Sequence, residues 1–429
     1  MDEFEILSVT GVSSRAMYWN AGLWPARKPG IVKSIKMKKL LLYSLLAVPV
    51  LSTAQDEGPK HLEASGYIKN MQTMVFYNLG SALSDPYQQI NLIHNRINAS
   101  WAISDELRLQ AALRTRVFYG DLNAFSNPGS MGQSYGDLID NENNDYLDLS
   151  LVLLDDKSWV VHSMLDRLYL EYIKGDWEVR LGRQRINWGV STVWNPNDIF
   201  NAFSFTDFDY EERPGSDALR IRRYTGFASS IELAVRMFDD FDEAVIAGLW
   251  KFNKGSYDFQ VLGGYARQDL VLGGGWAGNL GNAGLKGEFT FFSPLEEERD
   301  EAFAATVGLD YSFSNSLYVN AGYLYNSAGS VNASIIGLFD FALSARNLYP
   351  YRHAVFTQLS YPITPLLNGS VAFIYSPVEA HALFANPALS LSIKENWDLG
   401  LVGQIIMDKE ADGYTSPIQA AFLRLKFSY

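Results

Sequence analysis

The stretch ELRLQAALRTRVFY, which runs from Glu106 to Tyr119, decides the fold class because apolar and polar residues alternate along it. Side chains of a β-strand point alternately to its two faces, so every second residue shares an environment. One face receives Leu107, Leu109, Ala111, Leu113, Val117 and Tyr119, and the other receives Glu106, Arg108, Gln110, Arg114 and Arg116. The stretch therefore predicts a strand with one apolar face and one hydrated face.

The same two-residue period recurs in RLYLEYIK from Arg167, SIELAVRMF from Ser230 and FAATVGLDYSF from Phe303. Segments of about ten residues with alternating hydrophobicity, separated by turns, are the signature of a membrane-spanning β-barrel. A soluble β-sandwich also alternates, but a second sheet must then cover each apolar face. Three features favour the barrel: short turns such as KGDW alternate with long acidic or Asn-rich loops, aromatic residues cluster at strand ends, and the chain ends in AFLRLKFSY.

The period predicts an all-β protein, a transmembrane antiparallel up-and-down β-barrel of about 18 strands. The predicted strands begin near Gly66, Asn91, Glu106, Ser163, Asp176, Asp217, Ala228, Ala244, Ser256, Leu270, Gly284, Glu301, Ser316, Tyr351, Pro365, Ala388, Asn396 and Pro417. An even number places both chain ends on the short-turn side. Sixteen strands are the alternative, because the alternation is weak after Leu270 and around Pro387.

A leader is predicted before the barrel. Residues 37–54, MKKLLLYSLLAVPVLSTA, have the basic start, apolar run and small-residue end of a secretory signal peptide. The apolar run is shorter than the roughly 20 residues of a membrane-spanning helix, so cleavage near Ala54 is preferred over a membrane anchor. We expect residues 1–36 to be an extension upstream of the natural start and residues 55–429 to form a single outer-membrane β-barrel domain.

Composition and motifs narrow the function classes. Residues 1–54 contain seven basic and three acidic residues, so the mature chain has 28 basic against 45 acidic residues and a net charge of −17. Such a chain lacks the basic surface with which proteins bind nucleic acid. The sequence has no cysteine, and its five histidines form no nucleophile elbow, HExxH or paired-ligand spacing. We therefore predict no enzyme, no metal site and no cofactor.

Arginines concentrate on the hydrated faces of the first third of the barrel. A barrel of 16 to 18 strands is too wide for side chains to fill, so its inward residues line a water channel unless loops fold in. The predicted pore-lining basic wall consists of Arg96, Arg108, Arg114, Arg116, Arg167, Arg180, Arg183, Arg185, Arg220, Arg222 and Arg236. Guanidinium groups bind carboxylate and phosphate and keep their charge, so this wall would orient anionic solutes. The alternative is structural, with the arginines paired to neighbouring Asp and Glu.

The stretch GRQRINWGVSTVWNPNDIFN, Gly182 to Asn201, interrupts the strand pattern. Strict alternation after Leu181 would point Arg183 and Arg185 into lipid, at a cost of about 2–4 kcal/mol each at mid-membrane. We therefore expect a β-bulge at Gly182 that turns both arginines into the lumen.

The residues that follow predict an ordered loop. Asn195 as a cap, Pro196 in the first turn and Asp198 three residues after the cap indicate a short helix start. The surrounding aromatic residues make residues 188–216 too apolar for a solvated loop, and they include Trp188, Trp194, Phe200, Phe203, Phe205 and Phe208. The predicted constriction loop of the pore is Trp188, Trp194, Asn195, Pro196 and Asp198. A self-packed loop on the outer surface is the alternative.

Gly182, Arg183, Gln184, Trp188 and Gly189 resemble the strand-to-loop pattern of outer-membrane channel barrels related to the alginate-export and porin-like families. In the alginate-export group an arginine-rich lumen selects an anionic polysaccharide, so the resemblance implies an anionic or sugar-like solute. The terminal aromatic residue resembles the assembly signal of bacterial outer-membrane barrels. The signal sequence and Asn-rich loops resemble proteins of Gram-negative bacteria of the Bacteroidetes kind. A homotrimer is a further implication of this resemblance. The predicted barrel itself implies outer-membrane lipid as a partner, and its acidic loops could meet lipopolysaccharide through divalent cations.

The predicted function is an outer-membrane, porin-like channel for passive or substrate-selective diffusion of small anionic or sugar-like solutes. The alternative is a non-conducting binding or assembly and export barrel, supported by the acidic stretch DLIDNENNDYLDLS from Asp137. Asp140, Asn141, Asn143 and Asp145 could together hold calcium. The stretch lacks the glycine and closing glutamate of an EF-hand, so a solvated surface loop is the preferred interpretation.

Overall fold

The computed structural model describes residues 62–78, 87–122, 134–143, 145–202, 212–296, 298–331, 343–379, 381–410 and 413–429. The predicted leader and the three phenylalanines Phe203, Phe205 and Phe208 lie outside these ranges. Within them, no helix is both long enough and apolar enough to cross a membrane.

Nineteen described strands form one antiparallel sheet. They are β1 (Leu62–Tyr77), β2 (Tyr87–Ala102), β3 (Leu107–Gly120), β4 (Ser150–Asp156), β5 (Trp159–Lys174), β6 (Trp177–Gln184), β7 (Ser216–Gly226), β8 (Ser229–Arg236), β9 (Val245–Lys254), β10 (Tyr257–Ala266), β11 (Asp269–Leu280), β12 (Ala283–Pro294), β13 (Ala302–Ser312), β14 (Tyr318–Asn326), β15 (His353–Pro362), β16 (Leu367–Tyr375), β17 (Leu383–Lys394), β18 (Trp397–Glu410) and β19 (Gly413–Ser428). A helix, α1 (Tyr135–Asn143), precedes β4, and a 3-10 turn spans Phe241–Glu243.

Eighteen of these strands close the barrel. Each pairs with the next along the chain, except that β3 pairs directly with β5, and β19 closes the ring on β1 from Tyr67↔Ser428 to Tyr77↔Ile418. The predicted antiparallel barrel of 18 strands is confirmed, and the alternative of 16 strands is wrong. The weakly patterned regions after Leu270 and around Pro387 form the regular strands β11, β12 and β17.

The short strand β4 lies outside this count and was not predicted. It pairs with the first half of β5, from Ser150↔Met164 to Asp156↔Trp159. The eight-residue strand β6 pairs only with residues 168–174 of β5 and leaves the rest of that edge free. Because an open edge presents unpaired N–H and C=O groups, β4 protects the part of β5 that β6 does not reach.

The two faces of the wall differ as the alternation predicts. On β8, Ile231 and Leu233 are exposed, whereas the residues that alternate with them, Glu232 and Ala234, are buried. Large aromatic residues at strand ends, including Trp101, Trp177, Trp250 and Trp397, are also exposed. The exposed apolar face with aromatic ends is the outer surface that a membrane barrel presents to lipid.

The irregularity in this part of the wall lies in β5 and not at Gly182. β6 pairs through Gly182 with both β5 and β7 without a register shift, so the predicted bulge at Gly182 is wrong. In β5, Arg167 pairs with Ala112 and Leu165 pairs with Leu113, which leaves Asp166 as the extra residue of a bulge. Gly182 has a φ of 120°, and a Cβ there would lie 2.3 Å from a backbone oxygen. A close backbone approach therefore explains this glycine.

Candidate functional site

After β6, residues 186–201 leave the wall and run along the inside of the barrel; we name them the inner segment. The Trp188 indole Nε1 donates to Glu232 of β8 at 2.8 Å, and Gln260 of β10 donates to the Trp188 carbonyl at 2.6 Å. Farther on, the Val190 N–H donates to Glu288 of β12 at 2.5 Å. On their strands, these partners alternate with residues that are exposed on the outer surface. The inner segment therefore contacts the inner face of the barrel wall.

The middle of the inner segment is held by a buried amide. Asn197 donates through Nδ2 to the Gly274 carbonyl of β11 at 3.0 Å and accepts from the Thr290 hydroxyl of β12 at 2.7 Å. Both Asn197 and Thr290 are buried. A buried amide with both of its functions satisfied defines one position for the chain, because any displacement would leave polar atoms without partners.

Trp194 extends from the inner segment to the opposite part of the barrel. Its ring centroid lies 5.8 Å from that of Tyr349 and 6.4 Å from that of Phe356 of β15, both in edge-to-face geometry. It belongs to a buried apolar cluster that also contains Leu324, Ile374, Phe384 and Ile406, from β14 and β16–β18. Tyr349 belongs to a second segment inside the barrel, whose position is set by a hydrogen bond from Asn326 to its carbonyl at 2.6 Å.

The predicted helix start at Asn195 is wrong. The Asp198 N–H donates to the Asn195 carbonyl at 3.0 Å, which closes one four-residue turn around Pro196, and residues 185–202 contain no helix. The chain then continues into Ile199 and Phe200, which are buried against the inner wall with Trp188. Packing of these apolar side chains outweighs the local capping preference.

Asp198 is a buried carboxyl in this turn. Burial raises its pKa to about 7, against the opposing effect of the neighbouring arginines Arg185 and Arg213. Glu288, which accepts the Val190 N–H, is a second buried carboxyl beside this turn. Of the two arginines that follow Leu181, Arg185 is therefore placed beside the inner segment.

The predicted basic wall contains several ion pairs between β5, β6, β7 and β8. Arg220 and Arg222 bind Glu232 at 2.7 and 2.6 Å. Arg180 binds Glu171 at 2.7 Å and Glu178 at 3.0 Å. Arg108 is more loosely placed, 4.0 Å from Glu171, and its side chain is 51% exposed.

The bulge in β5 creates a second group of ion pairs in the basic wall. The extra residue, Asp166, binds Arg96 at 2.6 Å and Arg167 at 3.0 Å. Arg167 also donates to the carbonyls of Glu212 and Arg213, both at 2.6 Å. The bulge thus supplies a buried carboxylate between two predicted pore arginines, which alternation alone could not place.

A third part of the basic wall lies next to α1. Arg116 is 3.2 Å from His162 Nδ1, and Nε2 of the same ring is 3.2 Å from Asp140 of α1. Arg114 is fully buried, with Met164 Sδ 2.9 Å from its Nη2. α1 packs through Tyr135 and Ile139 into an apolar cluster, so this part of the acidic stretch is not a solvated loop.

Asp145 and Asp217 complete the wall where β6 ends. Asp145 is buried and forms an ion pair with Arg236, and it accepts the Asp217 N–H at 2.7 Å. Arg183 binds Asp217 at 2.7 Å and also donates to the Leu147 carbonyl. Asp140 and Asp145 have separate partners, so the described residues do not assemble the calcium ligands considered as a possibility for the acidic stretch, and those residues contain no metal-ligating group of three His, Asp or Glu residues. The side chains of residues 141–143 are not described.

Some inward charges were missed. Lys69 of β1 is buried beside Tyr67, and Lys426 of β19 lies 4.6 Å from the centroid of the Tyr67 ring. Arg424 and Lys426 alternate with exposed Leu423 and Leu425. The signal was present in AFLRLKFSY, whose polar positions extend the basic face from β2 across the barrel closure to β19.

Fold and interior define a class: a porin-like barrel of 18 strands with chain segments folded into its interior. The structure is similar to OccK5 (OpdH) of Pseudomonas aeruginosa, with a TM-score of 0.55 and 8% identity over 86% of this chain and 97% of that chain. OccK7 (OpdD) of the same organism has a TM-score of 0.54, 9% identity, and coverage of 86% and 99%. A BenF-like porin from Pseudomonas fluorescens Pf-5 has a TM-score of 0.52, 9% identity, and coverage of 86% and 98%.

The sequence comparisons are negative. No protein-family model matches the chain, and no curated protein matches it. The similarity to alginate-export barrels and to proteins of the Bacteroidetes kind is therefore not confirmed. At 8–9% identity, the three similar structures share the fold with this chain.

Proposed function

We propose that the protein is an outer-membrane channel for passive or substrate-selective diffusion of small anionic or sugar-like solutes. The observation that carries this proposal is the concentration of arginines on β2–β8, beside an inner segment that occupies part of the lumen. Porin-like barrel architecture supports it, and the predicted signal peptide agrees with export to the outer membrane of a Gram-negative bacterium.

The predicted arginines differ in accessibility in this proposal. Five are largely buried in ion pairs and stabilise the wall, namely Arg96, Arg167, Arg183, Arg220 and Arg236. Arg108, Arg180 and Arg222 keep side-chain exposures of 51%, 25% and 21%. Only accessible guanidinium groups can exchange water for a passing solute, so these three are the proposed contacts for anions.

The inner segment is the proposed constriction, formed by Trp188, Trp194, Asn195, Pro196 and Asp198. Its contacts with β8, β10, β11 and β12 and its contact with Tyr349 support a narrowed passage. The passage is proposed to run beside the basic wall of β2–β8, because the inner face of β14–β18 is occupied by the cluster around Trp194.

Planar-bilayer recording of the refolded full chain tests the proposal. Stepwise conductance with a preference for anions is expected, and Arg108→Gln with Arg180→Gln should reduce that preference. Arg223→Gln is the matched control, because it removes one exposed charge that stacks on Trp177 at 5.4 Å on the outer face. Conductance without a preference for anions would contradict the proposed class of solutes but would still support a channel.

A non-conducting binding barrel is the second candidate. It is favoured by the amount of chain inside the lumen, namely the inner segment and the segment around Tyr349. A folded barrel that inserts into bilayers but never conducts would support this candidate and refute the channel.

A further inference from the structure

Polar side chains form a row on the inner face of β12–β15. Asp310 of β13 pairs with Asn320 of β14, and Asn320 pairs with Gln358 of β15. On the other side, Lys286 Nζ of β12 lies 3.8 Å from Asp310 Oδ1. Leu309, the neighbour of Asp310, is exposed on the outer surface, so Asp310 and its pairing partners face the lumen. We name Lys286, Asp310, Asn320 and Gln358 the polar row.

The polar row lies on the short-turn side of the inner segment. On β12, Lys286 is two residues closer to the short turn than Glu288, which binds the inner segment. On β15, Gln358 is two residues closer to the short turn than Phe356, which packs on Trp194. A solute that has passed the inner segment from the long-loop side therefore meets the polar row next.

The polar row has hydrogen-bonding capacity that the protein does not use. Asn320 is 4% exposed, and its Nδ2 has no hydrogen-bond partner among the residues that the structure describes. A buried donor without an acceptor is destabilising, so this amide favours a bound molecule that accepts a hydrogen bond. Beside it, the side chains of Lys286 and Asp310 are 38% and 27% exposed and too far apart for a direct hydrogen bond. The row thus offers both donors and acceptors to one ligand.

Two glycines make a recess in the wall beside the polar row. Gly308 and Gly322 are direct partners in the β13–β14 ladder, two residues from Asp310 and Asn320 and on the same inner face. A Cβ at Gly308 would have only backbone atoms within 4 Å, the nearest at 3.4 Å, and one at Gly322 would have only a backbone oxygen, at 3.5 Å. No side chain of the described residues covers this part of the wall so closely, so a ring-shaped molecule can lie flat against it.

We propose that the polar row and the recess bind the ring of a neutral polyhydroxyl molecule, such as a monosaccharide. Each hydroxyl is both a donor and an acceptor, so adjacent hydroxyls match the mixture of amide, carboxylate and ammonium groups in the row. An anion would be attracted by Lys286 but repelled by Asp310 beside it, which distinguishes this subsite from the basic wall. The proposal rests on the proposed function, because the row must be reached through a water-filled lumen, and it selects the sugar-like solutes from the two classes named there.

Saturation-transfer NMR with D-glucose as the probe tests this subsite on the full chain, refolded in detergent. The wild-type chain should transfer saturation to the sugar. Asn320→Leu with Gln358→Met should weaken binding roughly tenfold, because two hydrogen-bonding side chains are lost. Gln419→Leu is the matched control, since it removes an exposed amide from the outer face of β19 and should leave binding unchanged. Heat-modifiable migration verifies that every variant has folded.

A second variant separates the recess from the hydrogen bonds. Gly322→Val keeps the polar row but fills the recess, so it should also lose saturation transfer, whereas Gly248→Val on the outer face should not. Absent transfer in a wild-type chain that conducts, or equal transfer in all variants, would overturn the subsite and leave the channel standing. Transfer that the double variant loses, in a barrel that never conducts, would support the subsite and refute the channel.

Discussion

The guanidinium of Arg183 donates two hydrogen bonds to the carboxylate of Asp217, through Nε at 3.0 Å and Nη2 at 2.7 Å, and both side chains are buried. The two residues are direct partners in the β6–β7 ladder, at the level where β6 leaves the wall. Asp217 also accepts the Leu147 N–H at 2.7 Å, so the pair joins the wall to the chain before β4. The arginine that alternation would have placed against lipid is thereby neutralised within the wall.

Removal of one member of this pair should destabilise the barrel. Arg183→Met would leave the Asp217 carboxylate buried without its cation, at an expected cost of about 3–5 kcal/mol in the free energy of unfolding. The double variant Arg183→Met with Asp217→Leu should recover much of this loss. Urea unfolding followed by tryptophan fluorescence measures both, and equal stability of wild type and Arg183→Met would contradict the prediction.

Valine at Gly182 should impair assembly. Its φ of 120° disfavours a side chain, and the added Cβ would meet the Leu168 carbonyl oxygen at 2.3 Å. Gly248→Val is the matched control, since a Cβ there has only one neighbour, at 3.7 Å. The fraction of chain that acquires heat-modifiable migration should fall for Gly182→Val alone. An equal fraction for the two variants would show that the close approach at Gly182 is relaxed easily.

Truncation of Trp194 should release the inner segment. The ring packs on Tyr349 and Phe356, and loss of a buried tryptophan costs about 3–5 kcal/mol of local packing. We expect larger single-channel conductance and new proteolysis within residues 186–201. Trp250→Ala removes an exposed outer tryptophan and should change neither quantity. Unaltered conductance and proteolysis in Trp194→Ala would mean that the hydrogen bonds of Trp188 and Asn197 suffice.

The attachment of the inner segment should weaken as pH rises. The pKa of Asp198 is raised from 3.8 to about 7, so the folded segment holds a proton that the released segment does not hold between these values. The resulting stabilisation is complete below about pH 4 and is lost as pH rises through about 7. Single-channel noise should therefore increase between pH 5 and pH 8. Asp198→Asn should reduce this dependence, and an unchanged dependence would assign it to another group, such as the buried Glu288 that accepts the Val190 N–H.

Much of the fold could be predicted because the membrane imposes a simple rule on every strand. Lipid on one side and water on the other produce a strict two-residue period, as in Leu107 to Tyr119 and in Ile231 to Arg236. Even the glycine-rich region after Leu270 became regular strands, since ladder partners on both sides compensate for a weak local pattern. The period also predicted a hydrated face for the basic-wall arginines of β2–β8 other than Arg183.

The two-residue period could not predict the positions at which the regular strand pattern is interrupted. The bulge at Asp166 depends on the alignment of β5 with β3, and the sequence around Asp166 contains no glycine or proline that would mark it. Strand β4 pairs with an edge that exists only because β6 is short. The turn at Asn195–Asp198 replaces a predicted helix because Ile199 and Phe200 pack against the wall.

The sequence by itself determined the class of fold and the alternation of outward and inward residues along most strands, because both depend on contacts with lipid or water that repeat along the chain. The choice between 18 and 16 strands needed the tertiary structure, in which ladder partners make the weakly patterned segments into strands. Only the tertiary structure decided which arginines are buried in ion pairs and which remain accessible. Arg183 and Arg108 look alike in sequence, yet one faces the Asp217 carboxylate and the other is half exposed. The difference depends on partners from distant positions, such as Asp217 and Leu147, whose proximity arises only when the barrel closes.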